Sequence, residues 1–336
     1  MVVGIDIESV SRWLAEHVGV EPPCVFSMID GGNSNLTYTV TDANQRALAL
    51  RRPPLGDILE SAHDMGREFR VISALADTDV PVPIALAMCS DISVNDAPFY
   101  AMSFVEGVVP HDAELGDLIP MSQRHAVSDS IIDVLAALHT LDPDSVGLGD
   151  LGRRENYVAR QLGRWAGHWE KSKQREIPEM GEAHRRLETE IPPQMRSTIV
   201  HGDFRLGNAI VKGGHVVAML DWELCTLGDP LADLGYLFNG WRTPDEPVLW
   251  RSSPTQAGGY RSLDDLIARY SAATGADLSR IGYYQAFQSW RLAAILEGVH
   301  ARYRHGAMGS TDGLDLDAMA ESVVHLARDA LDQLDQ

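Results

Sequence analysis

The stretch His201-Gly202-Asp203-Phe204-Arg205-Leu206-Gly207-Asn208 decides how the rest of this chain is read. It sets an aspartate and an asparagine five positions apart in one short loop. Phosphoryl-transfer loops use that spacing to present a carboxylate to an attacking hydroxyl and an amide oxygen to a magnesium ion. Such a metal needs a second carboxylate. The strand-like run Val216-Val217-Ala218-Met219-Leu220, a short hairpin downstream, ends in Asp221 and supplies one.

The composition limits what else the chain can be. Its 336 residues allow two lobes, and 45% apolar with 23% charged residues is the balance of a folded globular protein. A formal net charge of -20 argues against nucleic acid or an anionic membrane as partner, since both require a cationic surface. Cys24, Cys89 and Cys225 are far apart, odd in number and form no Cys-x-x-Cys, so neither a disulfide framework nor a zinc site is indicated. The first residues carry Asp6 and Glu8 before any basic residue, and no segment has the length and apolarity of a membrane span. A cytoplasmic protein is expected.

Together with Leu220-Asp221-Trp222-Glu223 and Gly228-Asp229-Pro230-Leu231-Ala232-Asp233, the opening loop resembles the aminoglycoside phosphotransferase and choline kinase superfamily. More narrowly, it is similar to the branch whose domain is fused to acyl-CoA dehydrogenases. Gly202 occupies the place of the arginine in the protein-kinase His-Arg-Asp triplet, and the resemblance runs from about Gly31 to about Tyr303. It implies an α+β, bilobal protein-kinase-like fold. A small N-terminal antiparallel sheet lobe with its hinge would span 1–106, and a larger, mostly helical catalytic and substrate-binding lobe 107–336.

The remaining parts are sought in kinase order. Val25 to Ile29 and Thr37 to Val40 read as strands flanking a tip rich in Gly, Asn and Ser; its Asn33, Ser34 and Asn35 are candidates for approaching phosphate through backbone N–H groups. By itself that tip reads first as a plain hairpin turn, and the downstream loop is what makes it a phosphate-loop candidate. Ala47 to Leu50 leads to Arg51-Arg52, where kinases carry the phosphate-contacting lysine. Arg51 is the candidate, although side chains alternate on a strand and Arg52 is the other choice. The next helix, about His63 to Leu75, offers Glu68 as its ion-pair partner. Phe99 to Phe104 is a strand leading to Ser103, Phe104 and Val105, the expected adenine-binding hinge.

In the second lobe, Ile131, Leu135 and Leu138 mark a central helix ending at His139, a packed residue rather than a ligand. Residues 170–195 alternate charge like an exposed helix. Asp229-Pro230 starts a helix running to Trp241, and Asp233 in its first turn is expected to support the catalytic loop or the helix N-terminus. The last substantial helix read from the pattern is Gly282 to Arg304, apolar nearly all round and therefore buried. Trp241, Tyr284, Trp290 and Arg291 are candidates for an acceptor pocket; an aromatic core is the competing reading for most of them.

The reading that follows is an ATP- and magnesium-dependent small-molecule kinase, with GTP as the other nucleotide, acting on a substrate hydroxyl. Asp203 orients or deprotonates the acceptor, Asn208 and Asp221 hold magnesium, and Arg51 with Glu68 positions the nucleotide. A metabolic hydroxy acid or acyl-CoA type is preferred as acceptor over an aminoglycoside. A nucleotide-binding pseudokinase-like regulator is the rival from another class, supported by Arg51 in place of lysine and opposed by Asp203, Asn208 and Asp221.

Overall fold

A computed structural model describes residues 2–29, 35–55, 64–305 and 314–336. Its internal contacts divide the chain into two compact units, Met1–Gly107 with Val217–Cys225, and Val108–Val216 with Thr226–Gln336. The first unit thus takes in the segment carrying Asp221 as well as the N-terminal residues. Among the described residues, no helix is long and apolar enough to cross a membrane.

The first unit opens with helix α1, Ile7–His17, whose N-terminus is capped by the Asp6 carboxylate accepting from the Ser9 N–H. Strands β1, Val25–Met28, β2, Leu36–Thr41, and β3, Ala47–Arg52, follow, then helix α2, Met65–Leu75, and strands β4, Ala85–Cys89, and β5, Phe99–Ser103. They pair antiparallel in the order β1-β2-β3-β5-β4. Period-two alternation separates the two faces of this sheet. Tyr38, Val40, Leu48, Leu50, Phe99 and Ala101 join Val10 and Leu14 of α1 in one buried cluster. Arg51 and Tyr100, paired across β3 and β5, belong to the other face, where the Phe69 ring of α2 lies 5.9 Å from that of Tyr100.

The second unit begins with helices α3, Ala113–Asp117, α4, Arg124–Thr140, α5, Tyr157–Ser172, and α6, Pro178–Thr189, then strand β6, Thr198–Val200. Strand β7, Ala209–Lys212, is followed by β8, His215–Met219, along which the chain passes into the first unit. It returns at β9, Thr226–Gly228, which pairs antiparallel with β6, and continues into α7, Leu231–Asn239, α8, Leu263–Thr274, α9, Ile281–Arg304, and α10, Leu316–Leu334. The core of this unit is helical, built from buried residues of α5, α6, α7, α9 and α10.

Two expectations from periodicity are corrected here. Residues 170–195 do not form one exposed helix: α5 ends at Ser172, and α6 buries Met180, Ala183 and Leu187 on a single stripe. Its many charges hid a narrow apolar seam. The helix ending at Arg304 is not the last, because α10 follows and buries Met319, Val323, Leu326, Ala327 and Ala330 in the same core as α9. The other elements read from the sequence differ by one or two residues at their ends, whereas α3, α8, β6, β7 and β9 had no such reading.

Candidate active site

In the first unit the alternation of β3 separates the two arginines. Arg52 shares the face of Leu50 and is buried, donating to the carbonyls of Gly4 and Pro53. Arg51 points the other way, toward α2. Its Nε lies 3.0 Å from Glu68 Oε2, and its NH2 donates to Asp221 Oδ1. Glu68 is only 2% exposed. Burial pushes its carboxyl above the ordinary value and the Arg51 guanidinium pulls it back. For Arg51 the balance is reversed: burial works against the charge, and the neighbouring acids, Glu68 foremost, outweigh it and raise the pKa.

Asp221 reaches this cluster through an unusual backbone. Its φ of 67° and ψ of 57° lie in the left-handed region, which non-glycine residues seldom occupy and aspartate tolerates better than most. The conformation turns the chain out of β8, and Trp222 steadies the turn by donating from Nε1 to the Met219 carbonyl at 3.0 Å. Arg67 of α2 donates to the Cys225 carbonyl, and Met219 N–H to Pro81, so the segment is held at both ends. Asn35 Nδ2 donates to Glu223 Oε2 at 3.1 Å, an added link within the same unit. Asn33 and Ser34 lie outside the described residues. Ser103 ends β5 with its N–H and Oγ both bonded to Ile84, while the Phe104 side chain is exposed and Val105 is half-buried.

The loop from His201 to Asn208 is built within the second unit. Gly202 has a φ of 86°, open to glycine and strained for a side chain, which accounts for glycine at that position. Two side chains clamp it: its N–H donates to Asp233 Oδ1 at 2.9 Å, and its carbonyl accepts from Arg291 NH2 at 3.0 Å. Asp233, 1% exposed, also accepts from the His201 N–H at 2.6 Å and faces His139 Nε2 at 3.4 Å. The expected support of the loop by α7 is therefore direct. His139 is buried, bonded also to the Tyr270 hydroxyl, and burial lowers its pKa.

Asn208 closes the loop on Asp203. Its Nδ2 donates to the Asp203 carbonyl at 2.9 Å and to Asp203 Oδ2 at 2.8 Å. The amide is thereby oriented with Oδ1 turned away from the carboxylate it contacts. Arg205 Nε lies 3.6 Å from the same Oδ2. Tyr236, three residues beyond Asp233 on α7, feels this carboxylate too: burial first, then Asp203, pushes its phenol upward. Helical spacing from Asp233 was the available signal for Tyr236.

The four acceptor-pocket candidates part company. Tyr284 is buried and donates to Asp229 Oδ2 at 2.7 Å, and Trp290 is buried with Nε1 bonded to the Met180 carbonyl. Both stand within the helical core. Trp241 donates from Nε1 to the Arg261 carbonyl and walls a cavity of about 260 Å³ together with Thr255, Tyr260 and Leu263. Arg291 alone of the four contacts the catalytic loop. Asp221 belongs to the first unit, and Asp203 and Asn208 to the second.

Oxygen donors of this kind, a carboxylate and an amide carbonyl, are what a hard divalent cation such as magnesium takes. Asn208 Oδ1 accepts no hydrogen bond among the described residues, and Asp221 Oδ2 is left by the Arg51 bond to Oδ1. Each of these oxygens, within its own unit, is of the kind that magnesium takes.

Residues 25–284 match the model of the phosphotransferase enzyme family. The chain is 36% identical to acyl-CoA dehydrogenase family member 10 of Mus musculus over 97% of its own length and 31% of that protein, and 34% identical to family member 11 of Rattus norvegicus over 97% and 44%. It spans less than half the length of these relatives. Among solved structures, a Ralstonia eutropha protein described as a candidate aminoglycoside phosphotransferase superposes with a TM-score of 0.82 at 32% identity, covering 98% of both chains. A ternary complex of aminoglycoside phosphotransferase APH(4)-Ia with AMP-PNP and hygromycin B shares the fold at a TM-score of 0.64 and 18% identity, over 96% of this chain and 98% of that one. The fold is thus the bilobal, protein-kinase-like one, and the chain belongs to the phosphotransferase enzyme family, whose members transfer phosphoryl groups to hydroxyls.

Proposed function

We propose that this protein is an ATP-dependent small-molecule kinase whose acceptor is a metabolic hydroxy compound, a hydroxy acid or its acyl-CoA form, rather than an antibiotic. The observation that carries the reading is the pair of bonds from Asn208 Nδ2 to Asp203, which fixes a carboxylate and an amide oxygen in one loop. Similarity to acyl-CoA dehydrogenase family members supports the metabolic acceptor.

In this scheme Asp203 accepts a hydrogen bond from the acceptor hydroxyl and takes its proton as the bond to phosphorus forms. Asn208, tied to that carboxylate, keeps it from rotating away. Arg51, fixed by Glu68, donates to the nucleotide phosphates, and Ser103 to Val105 meet the adenine edge through the main chain. Asn33, Ser34 and Asn35 are the proposed phosphate-binding residues of the nucleotide site. Asn208 and Asp221 would hold magnesium, which when bound neutralises charge on the phosphate oxygens. Positioning and electrostatics supply nearly all of such catalysis.

The test is incubation with ATP, magnesium and a metabolite extract supplemented with aminoglycosides, followed by mass spectrometry for products one phosphoryl group heavier. The Asp203→Asn protein runs beside it. A hydroxy-acid or acyl-CoA phosphate formed only by the unmodified protein is the expected result. A phosphorylated aminoglycoside as the main product would reverse the choice of acceptor, and nucleotide binding without any product would favour a regulator.

A further inference from the structure

Beside the catalytic loop, Arg291 is a buried cation without a counter-ion among the described residues. Its side chain is 6% exposed, and among the described residues no carboxylate forms an ion pair with it. NH1 donates to Gln288 Oε1 and NH2 to the Gly202 carbonyl, both at 3.0 Å, whereas Nε meets no acceptor. The guanidinium carbon lies 5.4 Å from the Trp165 ring centroid and 5.5 Å from that of Tyr236. Trp165 brings a second buried donor, since its Nε1 also meets no acceptor. Arg164 lies over the same indole at 5.5 Å.

Aromatic faces offset part of the desolvation of a guanidinium, but they accept no N–H in its plane. Two buried donors left over beside an uncompensated charge are costly in a closed core. They are expected where a ligand supplies the acceptors. The charge surplus is local and runs against a chain of net charge -20. Its location is also specific, because Arg291 is bonded to the residue immediately before Asp203.

We propose that Arg291 Nε and Trp165 Nε1 form a subsite for an anionic group of the acceptor, a carboxylate or a phosphate, with the Tyr236 ring as one wall. The assignment rests on the phosphotransfer reading of Asp203 and narrows it: the acceptor carries a negative charge on a part of the molecule separate from the hydroxyl, and a polycationic aminosugar is disfavoured by the Arg291 charge. The wall of aromatic rings suits a short apolar chain between the two groups.

Calorimetric titration with three probes tests this: 3-hydroxybutyrate, its neutral methyl ester, and its coenzyme A thioester, whose only negative charges are phosphates. The acid or the thioester is expected to bind about tenfold or more tighter than the ester, as a charge-assisted hydrogen bond requires. Trp165→Phe, which keeps a ring and deletes the N–H, and Arg291→Gln should each reduce that preference to within about twofold. Whichever charged probe keeps the preference identifies the anion. Equal binding of all three, no binding of any, or an unchanged preference in both variants would overturn the subsite. Phosphoryl transfer from ATP is followed in parallel. Selective anion binding without transfer would leave the subsite and sink the kinase reading; transfer without charge preference would do the opposite.

Discussion

Arg51 Nε sits 3.0 Å from Glu68 Oε2 in the interior of the first unit, joining the third strand of the sheet to the helix that follows it. The same guanidinium bonds Asp221, so three segments far apart in sequence meet on one positive charge. Removing that charge should be costly. A buried ion pair broken on one side loses about 3–5 kcal/mol, because the remaining ion stays desolvated. Arg51→Met is therefore expected to lower the free energy of unfolding in urea by that order. A loss under about 1 kcal/mol would mean that Glu68 finds water instead.

The same variant should show a distinctive pH dependence. Burial already raises the Glu68 carboxyl, and without Arg51 nothing of comparable strength opposes it. A carboxyl whose folded pKa exceeds its unfolded value favours the fold at low pH and withdraws that favour as pH rises through the folded value. The deficit of Arg51→Met relative to the parent should thus be smaller near pH 5 than at pH 8. Parallel urea titrations at the two values measure it, and a deficit that grew on acidification would contradict the assignment.

Asp203→Asn should reduce turnover by about 10²–10⁴-fold, the usual contribution of a positioned proton acceptor. Nucleotide affinity, measured separately with a fluorescent analogue, should stay near that of the parent. Turnover within about threefold of the parent would remove Asp203 from the role of base.

Asp233 holds the loop by accepting from two main-chain N–H groups, His201 at 2.6 Å and Gly202 at 2.9 Å. In Asp233→Ala both donors lose their buried partner, each at about 1–3 kcal/mol. Asp233→Asn keeps one acceptor oxygen and should recover part of the stability. The comparison is made by thermal unfolding, with kcat expected to fall in both variants because the preceding residues of Asp203 are no longer fixed.

Gly235 of α7 faces α9 so closely that a Cβ would lie 2.7 Å from the Tyr284 carbonyl carbon and 2.8 Å from its oxygen. Backbone cannot yield as a flexible side chain can. Gly235→Ala should destabilise the second unit by about 1–3 kcal/mol, the ordinary cost of overpacking, in spite of alanine's better helix propensity. A stability gain on denaturation would show that the two helices are free to separate.

Local chemistry made much of this protein readable from the chain alone. The spacing of Asp203 and Asn208, the alternation that sets Arg51 and Arg52 on opposite faces, and the apolar positions of α4 and α9 each depend on residues a few positions apart, which fix the geometry of one turn, one strand or one helix. Folding was needed wherever the partner lies far along the sequence. Alternation told that Arg51 and Arg52 face opposite ways, but only the packing of α2 on one face of the sheet decided that Arg51 meets Glu68. α10 went unread although its stripe is regular. Trp165 is 126 positions from Arg291, as their numbers show, and neither carries a local sign of the other. Contacts of that kind arise from how whole helices pack, and the energy that selects them is the joint burial of many side chains rather than any property of the two residues.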